Sequence, residues 1–118
     1  MTTQTIPVAE AAAMTALLRA EQNNILVPTR RDEGIIPICE TFDRSAFEAI
    51  LAIPDCVKVR IYTAMDQDLK IIFVITGVNS KDQDIFINDT STPVETEFVV
   101  ETGVRCPVDC PPPSPLNS

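Results

Sequence analysis

Apolar positions follow a helical period up to about Pro54 and a period of two beyond it. Residues 8–23 are rich in Ala, Leu, Glu, Arg and Gln, which are strong helix formers. Met14, Leu17, Leu18 and Glu21 recur on one helical face, and Ala13, Ala16 and Ala20 widen it sideways. Pro7 suits the first helical position, where its missing N–H costs nothing. The spacing predicts an amphipathic helix whose Ala-rich flank packs closely on the sheet of the same chain or on a partner. Residues 24–40 read as a connector interrupted by Pro28, Gly34 and Pro37, with short strand pieces at 25–27 and 35–39. A second helix is expected over 44–52, capped by Asp43 or Thr41, with Ser45 and Glu48 offering a capping-box variant. Phe47, Ile50 and Leu51 form its expected buried stripe, and Pro54 stops it.

After Pro54, Val57, Val59 and Ile61 alternate with Lys58, Arg60 and Tyr62, the pattern of a strand with one face in the core. Residues 69–76 form a second, more apolar strand, and the polar Met65-Asp66-Gln67-Asp68 between the two reads as a hairpin turn. Ile85-Phe86-Ile87 is a third, short candidate, Thr90-Ser91-Thr92-Pro93 breaks the chain, and residues 94–100 alternate again with Glu95, Glu97 and Glu101 on the outer side. Successive strands without intervening helices imply antiparallel pairing, because parallel neighbours need long crossovers. The expected fold class is α+β: two helices packed on a small antiparallel sheet of three to four strands, with extended N- and C-terminal arms. The expected organisation is an N-terminal arm at 1–7, one domain at 8–105 and a Cys/Pro-rich tail at 106–118.

Composition removes whole classes of chemistry. The 118 residues are one domain's length, and with 5% aromatic residues the core must be aliphatic. No histidine is present, so His triads, His-zinc sites and imidazole switches are excluded. The net charge of −8 is uneven: residues 1–60 hold six basic and eight acidic groups, residues 61–118 three and nine. Arg30-Arg31 is the sole basic doublet, too little to neutralise a phosphate backbone, so no nucleic-acid partner is expected. Apolar runs stay well short of about 18 residues, so no membrane insertion is expected. The N-terminal stretch lacks a basic region ahead of a continuous apolar run. It is not read as a signal peptide, which leaves the cytoplasm or a leaderless export route. Gly34, Gly77 and Gly103 make no phosphate loop, and no cofactor is expected.

Four cysteines carry the remaining chemical potential. A zinc site would need all four thiolates, yet Cys39 and Cys56 are far apart in sequence and Cys106 and Cys110 are spaced C-x3-C rather than C-x2-C. Cys106 and Cys110 are close enough for a disulfide in an oxidising setting, with free thiols as the cytoplasmic alternative. Cys39 and Cys56 read as small buried hydrophobes. Oxygen ligands for calcium are offered by Asp66 and Asp68 in one turn and by Asp82, Asp84, Asn88 and Asp89 around the third strand. Both groups lack the Gly and Glu of a calcium loop and read more simply as solvated turns. In the tail, Pro107 precedes a run comprising Pro111, Pro112, Pro113, Pro115 and Leu116, a polyproline-like candidate for protein contacts.

The run FEAILAIPDCVKVRIYTAMDQDLKIIFVITGVNSKDQDIF at residues 47–86, with the tail RCPVDCPPPSPLN, resembles a group of small uncharacterised proteins of Bacteroidota. Those proteins combine a helix, an "ILAQPGCxGxRIYY" segment, an "LVLVGVD" strand and a C-terminal "CPPxCPPPSPLN". The chain differs at Asp55 and Lys58, where the group tends to Gly, and at Val108, where it tends to Pro. The resemblance implies the hairpin register and an intact tail; it implies no activity and no site residues. Absent catalytic groups, an open-edged sheet and two arms outside the core together lead to an expected function. It is a non-enzymatic structural protein that self-associates, such as a repeating subunit of a filament or surface assembly. The alternative is a small binding or cargo module whose Pro-rich tail is a ligand for another protein.

Overall fold

The computed structural model describes residues 4–89 and 96–118. The chain is α+β, with two helices and several small antiparallel sheets. Helix α1 (Val8–Ile25) and a 3-10 turn (Pro28–Arg30) come first, then β1 (Cys39–Thr41), α2 (Arg44–Leu51), β2 (Lys58–Met65) and β3 (Ile71–Val78). Strands β4 (Asp84–Ile85), β5 (Ile87–Asp89), β6 (Thr96–Phe98) and β7 (Val104–Cys106) complete it. They form three sheets, β1-β7, β2-β3-β4 and β5-β6. Two compact units result: Met1–Cys39 with Arg105–Ser118, and Glu40–Val104. Residues 106–118, expected as a separate tail, thus fold in the same unit as α1.

In the first unit, Pro7 takes the N-cap rather than the first helical position, and its carbonyl accepts the Ala11 N–H at 3.1 Å. The strand piece expected at 25–27 does not form, because Ile25 closes α1 and Leu26 caps it through its N–H to Gln22 O. The inward face also differs from expectation. Ala11, Ala12, Thr15, Arg19, Gln22 and Leu26 are half-buried at helical spacing, whereas Met14, Leu17 and Leu18 stay exposed, Leu17 at 62%. The side of α1 that carries Thr15, Leu18, Arg19 and Gln22 borders a cleft with Ile36, Pro37 and Ile38, so the place of that segment, and not the apolar area of the Met14–Leu17 face, decides which side is covered. The unit's buried side chains are Ile35, Pro37 and Cys106.

The second unit is organised by the β2–β3 hairpin, in full antiparallel register from Lys58↔Val78 to Met65↔Ile71. The turn is Asp66–Lys70: Asp66 N–H bonds to Lys70 O, Leu69 N–H to Asp66 O, and Leu69 has φ 63. A type I turn followed by a left-handed residue explains this three-residue connection, with Leu in the place usually given to Gly. The third strand of the expected sheet divides into β4, paired with β3, and β5, paired with β6. Of the strand expected at 94–100, residues 96–98 form β6, Val100 makes an isolated bridge to Ile75, and residues 94 and 95 lie outside the described residues. Helix α2 begins after Asp43, but neither Asp43 nor Ser45 makes a side-chain cap; Arg44 instead pairs with Glu48 at 2.7 Å. Of its predicted stripe only Ile50 is buried, at 1%, while Phe47 is half-buried and Leu51 is 57% exposed. An eight-residue helix presents little more than two turns to the sheet, so one side chain takes the centre of the contact. Gly77 is where it lands: a Cβ there would lie 3.3 Å from Ile50 and 3.1 Å from Cys56 Sγ, so glycine permits the approach.

Candidate functional site

Three regions carry the side chains with chemical or binding capacity. The first is the tail. Cys106 and Cys110 are joined in a disulfide, and Val108 and Asp109 N–H groups both bond to Arg105 O inside that loop. Cys106 is held by its strand, its carbonyl accepting the Ile38 N–H at 2.8 Å, and Arg105 donates to the carbonyls of Gly34 and Ile35. Beyond the loop, Asn117 ties the chain into a turn: its Oδ1 accepts the Ser114 N–H and its Nδ2 donates to Pro112 O. Arg19 of α1 then donates to Leu116 O at 3.0 Å and Ser118 O at 2.7 Å. Pro111, Pro112, Pro113, Pro115 and Leu116 remain exposed, on a backbone anchored at both ends. A shallow recess of about 340 Å³ lies among Ile38, the disulfide, Pro111, Pro113 and Asn117.

The second region is a polar cluster on one face of β2-β3-β4. Arg60 donates from Nη1 to Asp84 Oδ1 at 2.7 Å and from Nη2 to Asp82 Oδ1 at 2.9 Å, and Lys58 lies 3.8 Å from Asp82. The Tyr62 hydroxyl donates to Asp84 Oδ2, and the buried Thr76 hydroxyl to Asp84 Oδ1 at 3.4 Å. The register explains the gathering, because β2 and β4 flank β3 and the alternating residues Arg60, Tyr62 and Thr76 share a face. Tyr62 first, and Arg60 after it, hold the Asp84 carboxyl below the usual carboxylate range. The same bond to Asp84 raises the Tyr62 hydroxyl and the Arg60 guanidinium above their ordinary values. Both carboxylates are committed to cations, so the arrangement clasps β4 to the hairpin.

A depressed carboxyl stabilises the fold fully above its unfolded pKa, near 4, and that stabilisation is lost as pH falls through the lower folded value. Stability, measured by urea unfolding followed by circular dichroism, is expected to fall in acid, and Asp84→Asn to flatten that dependence. An identical acid profile in the variant would assign the effect to other carboxylates.

The other sequence candidates separate. Asp66 Oδ1 accepts the N–H groups of Asp68 and Lys70, an ordinary turn role. Asn88 lies in β5, away from any carboxylate cluster, and the Asp89 side chain lies outside the described residues. Among the described residues, no three acidic or cysteine side chains gather in a metal-binding group. Cys39 and Cys56 are free and half-buried, less enclosed than expected, and Cys56 Sγ lies 3.3 Å from Lys58 O. The four cysteines therefore do not share one site.

The third region was not singled out from the sequence. On the face of the hairpin opposite the clasp, Ile61, Phe73 and Ile75 floor a recess of about 510 Å³ walled by Phe42, Phe47, Thr41 and Glu40. Phe42 and Phe47 meet edge to face, with centroids 6.1 Å apart. Alternation in β2 pointed to the face, but no local pattern tells which part of it α2 covers. No protein-family model, curated protein or solved structure matches this chain.

Proposed function

We propose that the protein is a non-enzymatic structural subunit that self-associates. The observation supporting this reading is α1. It runs for 18 residues and buries none of them, and Val8, Met14, Leu17 and Ile25 are all more than half exposed. In proteins most helical stability comes from packing an apolar face rather than from propensity. A second chain seated on the Met14–Leu17 side would supply that packing. The clasp and the disulfide loop hold strands and tail in place, which suits a building block.

Sedimentation velocity over a range of concentrations tests the reading. A mass that rises with concentration is expected, and Leu17→Glu combined with Met14→Glu should shift it toward monomer with far-UV circular dichroism unchanged. A monomer at every concentration would overturn it.

The alternative is a binding module using the tail as ligand. It is favoured by the continuous exposure of Pro111, Pro112, Pro113 and Pro115 on a backbone ordered before any partner arrives.

A further inference from the structure

We propose that the free edge of β2 pairs antiparallel with β2 of a second copy, about a two-fold axis near Ile61, joining two hairpins into one continuous sheet. This rests on the self-association reading and names a surface for it. Strand β2 ends the β2-β3-β4 sheet, so along eight residues its outer N–H and C=O groups meet no strand among the described residues. Natural edges are blunted by proline, bulges, short length or charges. The partner edge strand β4 has two residues, whereas KVRIYTAM has no proline or glycine and pairs with β3 without interruption. Its charges, Lys58 and Arg60, sit at one end, and Ile61 (59%) and Met65 (55%) are exposed in the remainder.

Charge and pleat select a second copy and fix its direction. The chain carries 17 acidic against nine basic groups, so two copies repel over most of their surfaces. The two cations of residues 58–65, Lys58 and Arg60, are balanced by Asp82 and Asp84, so this edge is locally neutral and a less repulsive line of approach than the acidic remainder. Parallel pairing would set Lys58 and Arg60 against their own copies, and like charges directly opposite are destabilising. Antiparallel pairing centred on Ile61 keeps equivalent faces on the same side. It sets Ile61 against Ile61, Val59 against Thr63, Lys58 against Ala64 and Arg60 against the ring of Tyr62. Such a contact is isologous and closes as a dimer, because the same patch serves both copies. The second copy's apolar β2 side chains also extend the face that floors the Phe42–Phe47–Phe73 recess. A filament would need a further contact, for which the exposed side of α1 is a candidate.

Hydrogen exchange and oxidative cross-linking on the full chain test this. Amides of residues 58–65 should gain protection with concentration in step with the sedimenting mass, and Ile61→Lys should abolish both changes. Val108→Lys, at an apolar position that is 89% exposed, should abolish neither. Under mild oxidation Ile61→Cys should give a covalent dimer. Met65→Cys should not, because the two copies of residue 65 would lie roughly 27 Å apart at strand rise. A mass that rises while residues 58–65 exchange unchanged, or efficient cross-linking through Met65→Cys alone, overturns the edge pairing and leaves self-association standing. A chain monomeric at all concentrations overturns both.

Discussion

Ile50→Ala is expected to destabilise the Glu40–Val104 unit by about 2–5 kcal/mol, the range for emptying a fully buried aliphatic position. Ile50 is the only buried residue of α2, and the helix sits on β3 at Gly77 through it. The loss is therefore a cavity at the one place where helix and sheet interlock. Neighbouring Leu51 has the same chemistry and is 57% exposed, so Leu51→Ala should change stability by less than about 0.5 kcal/mol. Urea unfolding followed by circular dichroism measures both. Equal effects at the two positions would mean that α2 packs through a different face. Few large side chains share the load: among this unit's described residues the buried hydrophobics are Ile50, Ile75 and Val78, with Thr76 the buried polar residue. A deletion at one of them is therefore felt by the whole unit.

Opening the Cys106–Cys110 disulfide should cost the Met1–Cys39 and Arg105–Ser118 unit about 2 kcal/mol, the loop-entropy value for so short a closure. Cys106 is also, with Ile35 and Pro37, one of the buried side chains among that unit's described residues. Replacing both cysteines by Ser places a hydroxyl at a site that is 2% exposed, so the double variant should be less stable than the reduced protein. Intact mass under non-reducing denaturing conditions should fall two hydrogens below the fully reduced mass, with Cys39 and Cys56 the two alkylated positions. Amide exchange at residues 114–118 should quicken on reduction, because the turn held by Asn117 and Arg19 loses one of its anchors. Four alkylated thiols in unreduced protein, or unchanged exchange after reduction, would show that the loop closes without the bond.

Local rules were sufficient for the hairpin. An alternating run and a more apolar one separated by a polar turn announce an antiparallel pair; the turn, expected at residues 65–68, lies at Asp66–Lys70, and that placement sets Ile61 with Ile75 and Arg60 with Thr76. Helix α2 was equally legible in extent, because Asp43 and Pro54 bracket an apolar stripe. The side of α1 that turns inward was not. Its composition offers Ala and Thr on one side and Met and Leu on another, so the two faces differ little in hydrophobicity. Which is covered depended on the segment at Ile36–Ile38. The β1-β7 pair was unreadable for a related reason. Its strands are three residues each and lie 65 positions apart (Cys39 to Val104), so no local period announces them.

Residue order alone settled the α+β class, the antiparallel hairpin and the exclusion of histidine chemistry, because backbone preference, side-chain period and composition act over a few residues. Burial was decided only in three dimensions. It depends on whether another element arrives over a face and how far that element reaches. Helix α2 reaches as far as Gly77 and leaves the Ile61–Phe73 floor open; the tail, proline-rich as it is, returns to Arg19; and β2 is left as an edge. The surfaces proposed for assembly are faces that the chain's own elements were too short or too small to cover.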